Sequence, residues 1–91
     1  MYMIVSIDCK FKTNHENIEK VLEHFGLRKI QSSLYGGDLD NYERKDLGEK
    51  ISEIIRETDS VLIVPICRNC YSKKISIGRI IQFRDELYRV Y

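Results

Sequence analysis

The chain has 91 residues, of which 43% are hydrophobic and 32% charged, and its formal net charge is +1. This length suits one domain spanning residues 1–91, because two separate hydrophobic cores need a longer chain. No run approaches the ~18 consecutive apolar residues of a membrane span, and Met1–Asp8 lacks the basic lead of a secretory signal. We therefore expect a cytoplasmic domain with no membrane partner.

Charge is distributed unevenly along the chain. Residues 31–59 carry four basic and eight acidic side chains, whereas residues 60–91 carry six basic and two acidic ones. Folding can therefore separate an acidic helix face from a basic sheet edge that attracts nucleic acid. A solvated helix and a lysine-protected strand edge account for the same pattern equally well. Charge alone leaves both interpretations open.

The N-terminal third predicts a strand followed by a helix. Residues 1–7 are rich in Ile, Val and Tyr, which indicates a strand buried on both faces and ending at Asp8. Thr13 and Glu16 have the spacing of a capping box. Apolar residues then recur at i, i+3, i+4 and i+7, which predicts an amphipathic helix over residues 14–25. Gly26 follows where a left-handed residue commonly ends a helix.

The middle of the chain predicts a second strand and a second helix. The strand Leu27–Tyr35 is expected to stop at the glycine pair Gly36-Gly37. A short return strand within Asp38–Tyr42 would give the order βαββαβ, and without it the order is βαβαββ. Asp38 or Asp40 caps the following helix. Its buried stripe is expected to contain four residues: Leu47, Ile51, Ile54 and Ile55.

The last third predicts two further strands and an apolar tail. Ser60–Cys67 is the most apolar run and indicates a buried strand, in which Pro65 removes a backbone donor and requires a bulge or an unpaired end. After a turn, Lys73–Arg79 alternates as an edge-like strand. Gln82–Tyr91 is too apolar for a free tail, so we expect a final strand lying on a sheet of this chain or of a partner.

Asp8 is the sharpest candidate for chemistry. A carboxylate at the end of a central strand lies where a cation or a phosphate can approach, although such a residue often caps the following turn instead. Mg²⁺ takes one or two carboxylates together with water and substrate phosphates. Because a two-fold homodimer presents every residue twice, two Asp8 side chains can share one Mg²⁺ ion that promotes phosphodiester hydrolysis.

Basic residues flank this candidate along the chain. Lys10 and Lys12 follow Asp8, and Arg28 opens the second strand. Solvated surface charge is the default interpretation of such residues. If they converge with Asp8 in the fold, they offer phosphate contacts around the metal position.

The cysteines and histidines form no complete site in the sequence. Cys67 and Cys70 have the spacing of half a zinc site, but a second Cys-x-x-Cys or His-x-x-x-His is absent from the chain. Two reduced cysteines are the simpler interpretation, with a site completed across a dimer as the alternative. Cys9 has no convincing base beside it. His15 and His24 are expected to be surface residues without a catalytic role.

Several segments together resemble the CRISPR-associated Cas2 family. Met1–Asp8 looks like the first strand of that family with its terminal aspartate, and Gly26–Tyr35 is similar to its second-strand motif. Gly37–Leu39 looks like the segment that follows. Asp59–Cys67 and Lys74–Gly78 are similar to its third and fourth strands. The order and spacing of these pieces carry the resemblance.

The resemblance implies an α+β, ferredoxin-like fold, βαββαβ, with an antiparallel sheet and two helices on one face. It also implies a homodimer in which a C-terminal strand, residues 82–91, pairs with the partner protomer. Members of the family bridge dimers of the larger CRISPR integrase subunit and help to hold duplex DNA during spacer acquisition. Several are also described as metal-dependent endonucleases on single-stranded RNA or duplex DNA.

The resemblance also assigns residues. Asp8 matches the metal-binding aspartate of the family, which implies a catalytic role with Mg²⁺. Arg28 and Tyr35 match the second-strand motif, and with Lys10 and Lys12 they form the expected nucleic-acid-binding set.

Three departures bear on the activity. Ile7 stands where the family often has Tyr, the loop after Asp8 is not rich in arginine, and Gly36 stands where an acidic residue often follows. The chain is therefore either a nuclease or a catalytically silent scaffold. A stand-alone, ferredoxin-like, toxin-type RNase or regulatory domain with no integrase partner is the alternative function.

Overall fold

The structure, a computed structural model, describes residues 1–78. Its elements in chain order are β1 (Tyr2–Asp8), α1 (Lys12–His24), β2 (Arg28–Gln31), β3 (Leu34–Asp38), α2 (Asn41–Ser52), β4 (Ser60–Ile66) and α3 (Arg68–Ser72). The order β1-α1-β2-β3-α2-β4 is the ferredoxin-like arrangement, so the predicted α+β fold class is confirmed.

The sheet has the strand order β2-β3-β1-β4, and each neighbouring pair is antiparallel. Successive side chains of a strand point to opposite faces, so β1 supplies Met3, Val5 and Ile7 to one face. These residues are buried in the main core together with the apolar stripes of both long helices. The core residues from α1 and α2 are Ile18, Leu22, Leu47 and Ile51. The two helices therefore cover one face of the sheet.

Helix α1 begins two residues before the predicted start. Its N-cap is Phe11, whose side chain makes no capping hydrogen bond, so the capping box predicted from Thr13 and Glu16 is wrong. Asn14, in the first turn, is buried and bonds the carboxylate of Asp59. A tertiary hydrogen bond thus holds the start of this helix where a local cap was expected. At the other end, Gly26 adopts φ +85° directly after the C-cap, as its position predicted.

The predicted second strand is split, but not at the glycines. The chain turns at residues 32 and 33, with Ser33 at φ 63°, and Gly36 and Gly37 lie inside β3. A Cβ at Gly37 would lie 2.8 Å from Leu27 Cδ2, and one at Gly36 would collide with the side chains of Tyr2 and Ile30. The glycines therefore permit close packing within the sheet rather than a turn, which is why the predicted stop was wrong.

Helix α2 has the capping box that α1 lacks. The Glu43 amide donates to Asp40 Oδ1 at 2.8 Å, and the Asp40 amide donates to Glu43 Oε1 at 3.1 Å. Of the two predicted candidates, Asp38 and Asp40, it is therefore Asp40 that caps the helix. Only half of the predicted buried stripe lies in this helix. Leu47 and Ile51 are buried within α2, whereas residues 54 and 55 follow its end and are partly buried.

Strand β4 is less buried than its composition predicted. Its residues alternate between exposed and partly buried, because β4 is the outermost strand of the described sheet. Pro65 pairs with Met3 in a register that runs without a shift from Tyr2↔Ile66 to Asp8↔Ser60. The predicted bulge or unpaired end is therefore wrong, since an outer strand tolerates proline in an intact ladder.

The segment after β4 also differs from the prediction. Arg68–Ser72 forms the short helix α3, and residues 73–78 form no strand. Ile75 and Ile77 are 84% and 86% exposed, because the described part of the chain offers them no neighbouring strand. The predicted strand Lys73–Arg79 is thus absent over its described residues. The predicted C-terminal strand, residues 82–91, lies outside the described residues. Within residues 1–78, the helices are all too short or too polar to cross a membrane.

Candidate functional site at the end of strand β1

Asp8 occupies the position that the sequence predicted. It is the last residue of β1, is exposed, and lies opposite Ser60 in the ladder with β4. Its carboxylate makes no hydrogen bond or ion pair with another residue in the described range, so capping of the following turn, the structural alternative, is not seen. By strand alternation Asp8 shares a face with Ile4, on the side of the sheet away from the two long helices. As far as residues 1–78 are concerned, its carboxylate is therefore accessible to a ligand.

A second carboxylate, Asp59, lies one residue before the strand that pairs with Asp8. It is 9% exposed, accepts a hydrogen bond from Asn14, and accepts another from the Arg56 amide at 3.0 Å. The Arg56 amide, followed by the Asn14 side chain, holds the pKa of Asp59 below its usual value despite burial. This anion fixes the start of β4 against α1, directly beside the end of β1. Sequence reasoning missed it, since one acid before an apolar run is a weak signal.

Cys9 directly follows Asp8, and both carboxylates act on its thiol. Burial first, and then the negative charges of Asp59 and Asp8, raise the pKa of the Cys9 thiol. A raised pKa disfavours the thiolate, which is the nucleophilic form. Cys9 is therefore a half-buried thiol that favours its protonated form.

The predicted basic residues divide into two groups. Lys10 and Lys12 are exposed and lie in the loop and first helical turn directly after Asp8, and Lys12 reaches Glu16 at 4.0 Å. Two exposed cations therefore follow the candidate carboxylate within four residues of sequence.

Arg28, the third predicted basic residue, is separated from Asp8 by more of the sheet than Lys10 and Lys12 are. It pairs with Gly36, which in turn pairs with Ile4, so it lies level with the middle of β1 and on the opposite edge of the sheet. It is exposed and shares the face of Ile4 by alternation. Arg28 does not converge on Asp8 within one chain, but both residues belong to the same face.

Tyr35 is not a surface residue. Its side chain is 1% exposed and its hydroxyl donates to Glu19, so within this fold it offers no surface to nucleic acid. The other Glu19 oxygen contacts His15 Nδ1 at 3.2 Å, and His15 Nε2 lies 3.3 Å from Ser33 Oγ. The Ser33 carbonyl accepts the Ile7 amide at 2.9 Å. This network ties α1 to the β2–β3 turn and to the end of β1.

His15 was expected to be a surface residue, but the network makes it half-buried. A carboxylate only accepts hydrogen bonds, so Nδ1 carries the proton toward Glu19 and Nε2 accepts from the Ser33 hydroxyl in the neutral ring. The i, i+4 spacing of His15 and Glu19 was the sequence signal for their contact. The contact with Ser33 could not be predicted, because the position of the β2–β3 turn was not predicted.

The metal-binding capacity of one chain is limited. Among residues 1–78, no three His, Cys, Asp or Glu side chains gather closely enough to hold a metal ion. Asp8 supplies one exposed carboxylate, and carboxylate oxygen is a ligand type that Mg²⁺ prefers. The donor type thus fits Mg²⁺, whereas the number of donors requires oxygens from a second chain, from water or from a nucleic acid.

The sheet face that carries Asp8 is apolar. Leu62 and Val64 of β4 belong to it by their pairing with Ser6 and Ile4, and they are 62% and 39% exposed. Near the other end of β1, α3 covers this face through Tyr71 and borders a half-open cavity of about 250 Å³. The half of the face nearest Asp8 is left uncovered by the described residues.

The sequence and the fold match a known family. The family described as CRISPR associated protein Cas2 matches residues 1–74. The chain belongs to the Cas2 family. A curated relative, the CRISPR-associated endoribonuclease Cas2 1 of Archaeoglobus fulgidus, is 31% identical over 79 residues, covering 86% of this chain and 84% of the relative. The CRISPR-associated endoribonuclease Cas2 of Desulforudis audaxviator is 31% identical over 68 residues, covering 74% and 64%.

Solved Cas2 structures agree with the fold. A crystal structure of Cas2 superposes with a TM-score of 0.65 at 31% identity, covering 70% of this chain and 71% of the other. Streptococcus pyogenes Cas2 at pH 6.5 superposes with a TM-score of 0.70 at 19% identity, covering 86% and 100%. The second likeness bears on the fold alone. The predicted family and the CRISPR association are therefore confirmed.

Proposed function

We propose that this Cas2-family chain works in CRISPR adaptation as a homodimer that binds nucleic acid, bridges dimers of the integrase subunit, and cleaves phosphodiester bonds with Mg²⁺. The observation that carries the nuclease part is the exposed Asp8 at the end of the central strand, whose carboxylate makes no hydrogen bond or ion pair with another residue of the range 1–78. The endoribonuclease names of its relatives support the same activity. Membership of a CRISPR-associated family argues against a stand-alone, toxin-type RNase.

The homodimer is supported by the apolar face that Asp8 shares with Leu62 and Val64. Exposed apolar side chains of one sheet are buried when a second copy lies against them. In an isologous contact, a residue that lies near the two-fold axis meets its own copy from the partner. Two Asp8 carboxylates then become available to one ion, which adds a donor that the described part of one chain does not supply.

Each residue has a defined part in this proposal. Asp8 holds Mg²⁺, which when bound polarises the scissile phosphodiester and its attacking water. Lys10 and Lys12 neutralise backbone phosphates beside the ion. The buried Asp59–Asn14 pair holds the strand ends around Asp8. Arg28 lies away from the ion and contacts phosphates farther along the bound duplex or strand.

The test is Mg²⁺-dependent cleavage of labelled single-stranded RNA and duplex DNA by wild type, Asp8→Asn and Asp46→Asn. Asp46 is an exposed acid on α2, so its replacement removes the same charge away from the site. Loss of cleavage in Asp8→Asn alone, with nucleic-acid binding kept, supports the proposal. Equal cleavage by all three removes Asp8 from the chemistry. If none cuts but all bind DNA and the integrase, the protein is a scaffold.

A further inference from the structure

Two cysteines lie outside the candidate site and are not used by the proposed function. Cys67 is the residue between β4 and α3, and Cys70 lies in the first turn of α3. Both are exposed, and they have the Cys-x-x-Cys spacing. They lie at the end of β4 that is opposite Asp59, so the carboxylates around Asp8 do not act on them.

The two cysteines are in direct contact. The Cys70 amide donates to Cys67 Sγ at 3.4 Å, which makes Cys67 the side-chain cap of α3. This contact turns the Cys67 side chain back over the first turn, toward the side chain of Cys70. The two side chains therefore belong to the same helical turn, and a disulfide requires only that their sulfurs approach to bonding distance.

The two thiols differ in acidity. The Cys70 amide first, and then the Cys70 thiol, lower the pKa of Cys67, whereas the neighbouring Cys67 raises the pKa of Cys70. One sulfur is thus favoured as the thiolate and the other as its protonated neighbour, which is the division of roles in reactive Cys-x-x-Cys pairs. The surrounding sequence agrees, because residues 60–78 contain basic but no acidic side chains.

Such a pair can also bind a metal ion, but the described residues do not supply the further ligands that a metal site needs. Structural zinc takes four ligands, and in residues 1–78 these two sulfurs have no third His, Cys, Asp or Glu that completes a site. Redox chemistry needs only the two sulfurs that are present.

We propose that Cys67 and Cys70 form a redox-active dithiol that closes to an intramolecular disulfide on reaction with a low-molecular-weight disulfide. The Cys67 thiolate attacks one sulfur of the small disulfide, forms a mixed disulfide and releases one small thiolate. The Cys70 sulfur, after losing its proton to solvent, attacks Cys67 Sγ and releases the second small thiolate. The protein loses two electrons, and the small disulfide gains them as two thiols.

Oxidation changes the surface of the molecule. Cys70 lines the 250 Å³ cavity between α3 and the sheet, together with Tyr71, Lys74 and Ile66. Closing the disulfide replaces an exposed thiol at the rim of this cavity by an apolar S–S bond. The redox state of the pair therefore alters the apolar sheet face beside α3.

The test incubates the full-length protein in buffers with a graded ratio of glutathione disulfide to glutathione. Remaining thiols are trapped with a maleimide and counted by mass spectrometry. Wild type is expected to lose two of its three trapping sites together and to recover both on reduction. Cys9→Ser, the matched control, is expected to lose both of its remaining sites. Cys67→Ser and Cys70→Ser are expected to form a mixed disulfide with glutathione and no internal bond.

Three results overturn the proposal. The first is full trapping of all three thiols in the most oxidising buffer. The second is a disulfide that joins two chains, visible on a non-reducing gel. The third is an internal bond that forms in Cys67→Ser or Cys70→Ser, which would require Cys9. Each readout is independent of nuclease activity, so failure of the proposed function leaves this test intact.

Discussion

The Asn14 side-chain amide donates to the Asp59 carboxylate across 45 positions of sequence, and both residues are buried. This bond joins the first turn of α1 to the start of β4. It lies beside the end of β1, which presents Asp8 to solvent. The position of the candidate carboxylate therefore depends on a buried polar pair as well as on the sheet.

Replacing Asn14 by Ala is expected to lower the free energy of unfolding by about 1–3 kcal/mol, because Asp59 loses a donor while remaining buried. Urea denaturation measures this loss. Thr13→Ala is the control, since Thr13 is exposed in the same turn and makes no cap, and it is expected to change stability by less than ~0.5 kcal/mol. Equal losses in the two variants would contradict the assigned role of the pair.

The Asp59 carboxylate is expected to make stability depend on pH. Its pKa in the folded protein is below the unfolded value of about 3.9, so its contribution is complete above that value and is lost as pH falls through the folded pKa. The difference in unfolding free energy between wild type and Asp59→Asn should therefore shrink below pH ~4. Urea titrations of both proteins across this range measure it. A difference that stays constant would show that Asp59 has an ordinary pKa.

Gly36→Ala is expected to destabilise the protein by about 1–3 kcal/mol, since the added Cβ meets the side chains of Tyr2 and Ile30. Gly48→Ala is the matched control. It lies in α2 with nothing within 4 Å of an added Cβ, so the change should stabilise the helix by up to ~1 kcal/mol. Thermal or urea unfolding measures the change in unfolding free energy for each variant, which is expected to be a loss for Gly36→Ala and a gain for Gly48→Ala. Stabilisation by both would place Gly36 in open space.

Tyr35→Phe separates packing from nucleic-acid contact. It removes the hydroxyl that donates to Glu19 and is expected to cost about 1 kcal/mol of stability. Because the ring is buried, affinity for RNA or DNA should be unchanged, whereas Arg28→Ala should weaken binding and reduce its salt dependence. Fluorescence anisotropy with labelled oligonucleotides compares the two. A loss of affinity in Tyr35→Phe alone would instead support the direct nucleic-acid contact that the family motif implied.

Leu62→Asp is expected to shift the proposed homodimer toward monomer, because the substitution places a charge in the apolar face shared with Val64. Sedimentation equilibrium measures the change in mass. Tyr42→Asp is the control, because Tyr42 is 86% exposed on α2, and it should leave the association unchanged. An unchanged dimer in Leu62→Asp, with the control intact, would place the interface elsewhere.

Local pattern was sufficient for much of the fold. The apolar stripe of α1, Gly26 after its end, and Asp40 before α2 are signals carried within a few residues, and all three have their predicted places. Asp8 followed equally from the end of an apolar run. The family resemblance supplied the βαββαβ order that periodicity left open.

The remaining features depend on residues far apart in sequence. Gly36 looked like a turn because glycine permits many backbone conformations, but the space occupied by Tyr2 shows that it serves packing. The role of Asp59 could not be predicted locally, because its hydrogen-bond partner Asn14 lies 45 positions away in sequence. Tyr35 looked like a nucleic-acid contact until strand pairing turned it toward the core. Sequence therefore determined β1, both long helices and β4, while tertiary packing decided where the second strand splits and which side chains are buried, paired or exposed.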